Sequence, residues 1–455
     1  MSTAERVVIL GATGDLTGRY LLPALAELAD AGRLPSAAVI HGMARDPWDT
    51  AGFRRHASQR LARHTPEIPA PARRAVVDRL EYSAGDVTDP AALATAIGDG
   101  PGAVLCYLAL PPAVYPATVR GLSAIELVAG SRVVVEKPFG TDRASATALN
   151  ALLRECFAES SVFRIDHVLG QQTVQNLLGV RFANRLFESG WDREHVESVD
   201  VVWDETIALE GRAGYYDHAG ALRDMVQSHL LQLLCLVAME EPTALDERHF
   251  RDRKMELLRA VRAAEPGDDL PGPVRARYQA GRVHGHEIPA YADEPGVDPD
   301  RETETFTSVT MLIENERWRG VPFRLRTGKA LGRDRRFIRV TFREVTWRGF
   351  DRDEAPPNAL TFHMDPDRLT LALALNGAGD PFRLEPAELG LDLAPQALSA
   401  YARLLLDALE GDVTLSIRGD EAEESWRIVE PILTSWARDE AALLEYPAGS
   451  AGPVA

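Results

Sequence analysis

Short apolar runs alternate with stretches of helical period through the first third of the chain. Arg6–Leu10 is a β-branched run that stops at a glycine turn, Gly11-Ala12-Thr13-Gly14-Asp15-Leu16. Leu21, Leu25 and Leu28 then recur on one face of a helix expected from Tyr20 to about Ala31. Val39–Met43, Val104–Leu110, Arg132–Glu136 and Val162–Ile165 read as further strands. This alternation predicts a doubly wound parallel sheet.

The pattern changes near residues 165–175. Glu197–Ile207 reads as a strand and Ala219–Met239 as one long apolar helix. Residues 262–300 are rich in Pro, Gly, Asp and Glu and are expected to form an exposed excursion. Strands are then expected at Phe306–Ile313, Phe323–Arg326, Phe337–Phe342, Leu360–Met364 and Leu369–Leu375, with little helix between them. Helices at about Pro395–Leu409 and Glu421–Trp436 close the chain. The fold class is therefore α/β followed by α+β. A parallel-sheet domain is expected at 1–168, and a domain built on a large, mostly antiparallel sheet at 169–455.

Composition narrows the function. The 455 residues carry 50 basic and 68 acidic side chains, a net charge of −18. That argues against nucleic acid or an anionic membrane as partner. No apolar run reaches the roughly 18 residues a bilayer span needs. The N-terminal segment lacks a basic-then-apolar leader pattern, so a cytoplasmic protein is expected. Cys106, Cys156 and Cys235 lie far apart in apolar contexts; they are expected to be reduced, with no disulfide or metal site. Only Lys137, Lys254 and Lys329 are lysines. Where a bulk positive charge would do, the chain uses arginine. Each lysine therefore draws attention as a place for a compact ammonium.

A glycine turn between a first strand and a first helix would set backbone N–H groups against a pyrophosphate. Gly11, Ala12, Thr13, Gly14, Asp15 and Leu16 are thus candidate dinucleotide contacts in a Rossmann-like domain, although the run lacks the full G-x-G-x-x-G. The ribose 2′ group should lie beside Arg45 and Asp46, at the end of the second strand. An arginine favours the 2′-phosphate of NADP and a carboxylate favours the 2′-OH of NAD. Asp46 tips the expectation to NAD, with NADP left open.

Gly11–Leu16, Val135-Glu-Lys-Pro-Phe-Gly140, and Arg164-Ile-Asp-His-Val-Leu-Gly170 with Val174-Gln-Asn-Leu177 and Arg181-Phe-Ala-Asn184 after it are three segments that resemble those of the glucose-6-phosphate dehydrogenase family. Tyr107–Pro112, Gly214–Asp217, Arg223–Met225, Glu314–Trp318 and Arg326–Leu331 follow in the family's order, so the resemblance covers nearly the whole chain. It implies an NAD(P)-dependent sugar dehydrogenase that forms a homodimer, or a dimer of dimers, through its C-terminal domain. It implies His229 as the base that takes a proton from a sugar hydroxyl, with Asp166 holding the imidazole. Lys137 would touch both sugar and cofactor. Tyr115 and Arg45 match cofactor contacts, and Glu205, Asp224 and Lys329 match sugar contacts. Two of the three lysines thus fall on site positions.

The phosphate pocket departs from the family. Its His-Tyr-Leu-Gly-Lys run is here His167-Val168-Leu169-Gly170-Gln171. Asp334 stands where a second basic residue is usual, Asp365 where a glutamine is, and Tyr20 replaces a lysine of the first helix. His167, Gln171, Asp334, Asp365 and Tyr20 are therefore candidate substrate contacts of altered chemistry. Losing two charge-assisted hydrogen bonds would weaken phosphate binding by about 3–6 kcal/mol. The expectation is an NAD-dependent enzyme acting on an unphosphorylated sugar, cyclitol or nucleoside in secondary metabolism. Net oxidation and transient oxidation driving dehydration or epimerisation both fit. One alternative is a genuine glucose-6-phosphate 1-dehydrogenase, with Arg333, Arg335 and His167 on the phosphate. The other is a non-catalytic nucleotide-binding homologue.

Overall fold

Two compact units are distinguished in a computed structural model that describes residues 4–453 apart from 36, 266, 348, 351–356 and 380–381. The first unit holds residues 1–172, 242–252 and 396–423. Among its described residues six strands pair in parallel. Their order is Leu80–Ala84, Val39–Ala44, Arg6–Leu10, Val104–Leu108, Arg132–Glu136, Val162–Ile165. Most of them are buried along nearly their whole length, which is why they read as continuous apolar runs rather than alternating ones. Leu80–Ala84 lies at the edge, alternates exposed and buried residues, and escaped the apolar-run reading. The strand order reverses at Arg6–Leu10, which pairs with Val39–Ala44 on one side and Val104–Leu108 on the other. A crevice at the carboxyl ends of the strands follows from that reversal. Helix Ala400–Glu410, late in the chain, packs its Leu405 and Leu409 into the same core as Leu22, Leu25 and Leu28 of helix Leu22–Asp30.

The second unit holds residues 173–241, 253–395 and 424–455. Among its described residues ten strands form one sheet. The path runs Leu384–Asp392, Asp367–Asn376, Ala359–Met364, Arg335–Phe342, Val196–Asp204, Phe323–Gly328, Phe306–Ile313, Val274–Gln279, Leu443–Pro447, and Val261–Ala263 also pairs with Phe306–Ile313. Pairing is antiparallel except for Val196–Asp204 with Phe323–Gly328 and Val274–Gln279 with Leu443–Pro447. Residues 262–300 are therefore not an excursion. They supply strand Val274–Gln279, and Tyr278 and Tyr291 are buried in a core with Phe306 and Tyr446. Arg275 and Arg277 interrupt the apolar signal of that strand.

Ala219–Met239 is not one helix. Gly220 has φ 69° and ψ 172°, which ends helix Ala213–Ala221. A Cβ at Gly220 would lie 2.4 Å from a Glu304 carboxylate oxygen. That carboxylate accepts the Leu222 N–H at 2.9 Å and starts the next segment. Leu222–Leu230 is π-helical, and Leu231–Ala238 continues as an α-helix. No helix among the described residues is long and apolar enough to cross a membrane.

Candidate active site

In the first unit the glycine turn leaves no room for a side chain. Gly11 has φ +88°, and a Cβ there would lie 2.2 Å from the Ala109 carbonyl oxygen. The Gly11 and Ala12 N–H groups donate to the Met43 carbonyl at 2.8 and 3.1 Å, and the Gly14 N–H donates to the Gly11 carbonyl at 3.0 Å. The first two fasten the turn to the second strand, and the third closes the turn on itself. The Asp15 carboxylate is held by Arg19 and Arg60 at 2.9 and 2.7 Å, and Leu16 packs on the core. Thr13 Oγ1 donates to Asp46 Oδ2 at 2.6 Å, and the Tyr82 hydroxyl donates to the Asp46 carbonyl at 2.8 Å. Asp46 is thereby pinned at the tip of the second strand, next to exposed Arg45. The turn at the reversal point, the helix that opens at Asp15 and this pinned carboxylate are the set of groups a dinucleotide needs.

Tyr115 is buried, and its hydroxyl donates to the Glu136 carbonyl at 3.2 Å. The Glu136 carboxyl receives the Tyr107 hydroxyl in a short bond. Burial pushes that carboxyl up to about 7, against the bond from Tyr107. Half-buried Lys137 follows it.

Asp166 ends the last strand, and its Oδ1 accepts the Val168 N–H at 3.1 Å, capping the turn His167–Gly170. Buried Arg164 fixes this strand end through Asn150 Oδ1 at 3.0 Å and Glu159 Oε1 at 2.7 Å. Gly170 lies against Ala400, where a Cβ would be 2.5 Å from the carbonyl oxygen. The His167 ring stacks on Tyr401 at 5.7 Å, and Tyr401 stacks on Tyr20 at 4.8 Å. Tyr20 and His167 are thus brought together through a tyrosine that sequence reading missed. Val168 is fully buried and Gln171 half-buried.

In the second unit the strand Val196–Asp204 divides two polar faces, because alternate residues point to opposite sides. Trp203 and Glu205 share one face by that parity. His229, buried in the π-helical segment, stacks on Trp203 at 6.0 Å. The guanidinium of Arg336 lies over the same ring at 5.3 Å. Lys329 Nζ donates to Glu205 Oε2 at 2.7 Å and lies 5.2 Å from the Tyr216 ring. Arg336 stands 3.9 Å from Glu205 Oε1 and 3.5 Å from Asp365 Oδ2. Asp224 shares the π-helical segment with His229 and accepts the Tyr215 hydroxyl at 3.2 Å. Glu205, Lys329, Asp365 and His229 are therefore linked through Trp203 and Arg336, which sequence reading missed. Arg336 pairs in register with Trp203, and that long-range pairing sets it beside Glu205.

Asp334 does not join this cluster through its carboxylate. It accepts the Thr206 N–H and hydroxyl at 2.9 Å each. Arg335 is committed to the other face: its Nε donates to buried Asp204 at 2.9 Å, and Arg326 donates to the same carboxylate at 3.1 Å. Arg333 and Arg335 line a cavity of about 350 Å³ with Asp204 and Gly449.

The sequence profile of the glucose-6-phosphate dehydrogenase NAD binding domain matches residues 8–176, and that of the C-terminal domain matches residues 178–455. A glucose-6-phosphate 1-dehydrogenase of Gluconobacter oxydans is 41% identical, over 98% of this chain and 94% of its own length. One from Treponema pallidum is 39% identical, over 99% and 92%. A solved glucose-6-phosphate dehydrogenase in complex with its substrate glucose 6-phosphate superposes with a TM-score of 0.89 at 32% identity, covering 100% of this chain and 96% of that one. These relatives overturn the expectation of an unphosphorylated sugar, cyclitol or nucleoside, and nothing in them supports dehydration, a nucleoside or secondary metabolism. Geometry removes part of its basis as well. The Asp334 carboxylate, expected to repel a phosphate, is bound to Thr206, and a cation two residues on stands beside Glu205.

Proposed function

The chain belongs to the glucose-6-phosphate dehydrogenase family and is an NAD(P)-dependent oxidoreductase; on that premise we propose that it oxidises glucose 6-phosphate to 6-phosphogluconolactone. The observation that carries this reading is the cluster of His229, Trp203, Glu205, Lys329 and Arg336, a base beside a carboxylate and two cations. His229 takes the proton of the sugar's C1 hydroxyl as general base, a role worth about 10²–10⁴-fold. Glu205 and Asp224 accept sugar hydroxyls. Lys329, anchored by Glu205, offers its remaining N–H donors to the substrate. Asp166 and Lys137 keep the roles the resemblance gives them. The dinucleotide, when bound, supplies the hydride acceptor. Asp46 supports NAD: Thr13 holds its carboxylate where a 2′-phosphate would meet a like charge. Absorbance at 340 nm with glucose 6-phosphate and with glucose, each with NAD and NADP, tests the reading. Turnover of glucose 6-phosphate with kcat/KM of about 10⁴ M⁻¹s⁻¹ or more is expected, and preference for glucose would refute it.

The quaternary reading is a homodimer formed through the second unit. Two apolar rows cross four strands there, Ile338–Phe362–Leu369–Leu391 and Val340–Leu360–Leu371–Leu389. They run from fully buried residues to Leu391 and Leu389, which are 59% and 61% exposed. A second copy would cover the open end of this face.

A further inference from the structure

The geometry points to Arg336 as the cation that selects the phosphorylated sugar, a role that rests on the reading of glucose 6-phosphate as substrate. Neither flanking arginine is available for it in the same way. Arg335 is tied to Asp204 on the opposite face, and Arg333 lines the cavity beside it. Arg336 differs in its bonding. Its guanidinium makes no hydrogen bond to another described residue, and its Nε is buried without a partner. The nearest carboxylates, Asp365 at 3.5 Å and Glu205 at 3.9 Å, meet it as loose charges. The guanidinium is half-buried, so it keeps N–H donors that a ligand entering beside Trp203 can use.

Position identifies the ligand class. Arg336 shares the Trp203 ring with His229 and the Glu205 carboxylate with Lys329, so it borders the sugar-binding cluster. A guanidinium presents a fork of N–H donors that matches a phosphate better than a hydroxyl. Asp365 is largely exposed and makes no hydrogen bond to another described residue, so an arriving dianion can displace it. The charge absent at 334 is thus carried two residues on, on the face of the strand that meets Trp203 and Glu205.

Steady-state kinetics with glucose 6-phosphate and with glucose on wild type, Arg336→Gln and Arg336→Lys test this. Arg336→Gln should raise the KM for glucose 6-phosphate by about 10- to 100-fold, the loss of one charge-assisted contact. Its kcat should fall by much less than KM rises, and its kcat/KM for glucose should fall by much less than that for glucose 6-phosphate. Arg336→Lys should recover part of the loss, because it restores the charge without the fork. An unchanged KM for glucose 6-phosphate in Arg336→Gln overturns the role. So does an equal loss with both substrates, which would mark a structural role; thermal melting of the two variants separates misfolding from that outcome. If wild type itself fails to prefer glucose 6-phosphate over glucose, the substrate reading falls, and this inference with it.

Discussion

The two faces of strand Val196–Asp204 are both charged, yet they are bonded to different degrees. On one face Arg324 pairs with Asp200 at 3.0 Å, and Arg326 and Arg335 both grip Asp204. On the other, Lys329 is matched by Glu205, but Arg336 has its charge balanced without its hydrogen bonds made. A saturated ion-pair face holds a sheet together. A face with donors left open is built to receive something. Arginines occupy both faces, so it is the state of their bonding and not their charge that distinguishes the two.

Substitutions can break this comparison at either side. The largest effect is expected at His229. His229→Asn should lower kcat by about 10²–10⁴-fold and leave dinucleotide affinity, read by fluorescence titration, nearly unchanged. Retention of a tenth of the activity would remove His229 as the base. On the saturated face, Asp204→Ala leaves two half-exposed arginines without their buried partner. It should cost about 2–4 kcal/mol of stability, seen as a lower melting temperature, while KM for glucose 6-phosphate in the folded fraction stays put. A KM change with no stability loss would place Asp204 in the site and dissolve the distinction.

Replacing Leu389 and Leu391 together with Arg should convert a dimer to monomers in light scattering coupled to size exclusion. An unchanged mass would leave the apolar rows without that role. The smallest effect is expected in the first unit. Asp46→Ser should improve NADP affinity by about tenfold, by removing one like-charge contact while Arg45 remains. A wild type that already binds NADP more tightly than NAD would contradict the reading of Asp46.

How much of this could be read from the sequence depends on how local each signal is. The parallel strands of the first unit are apolar and β-branched, so they announce themselves. Helix Thr50–His64 does not, because its buried face is only Phe53, Ala57 and Leu61 among many polar residues. Strand Leu443–Pro447 pairs with Val274–Gln279, a partner some 170 residues away that no local pattern indicates. Gly220 breaks an apolar run that reads as continuous, and its reason is Glu304, remote in sequence. For the proposed site, motif segments pointed to His229, Glu205 and Lys329. They could not show that the Asp334 carboxylate binds Thr206 or that Arg336 replaces a missing cation, because which side chain faces the sugar depends on the parity of strand Arg335–Phe342.

On this reading the open face receives a sugar phosphate. Calorimetric titration of His229→Asn, which binds without turnover, measures this most directly, with glucose 6-phosphate and glucose as ligands. Glucose 6-phosphate should bind at least about 10-fold more tightly than glucose, the contribution of one or more charge-assisted contacts to the phosphate. Equal affinities, or tighter binding of glucose, would contradict the account.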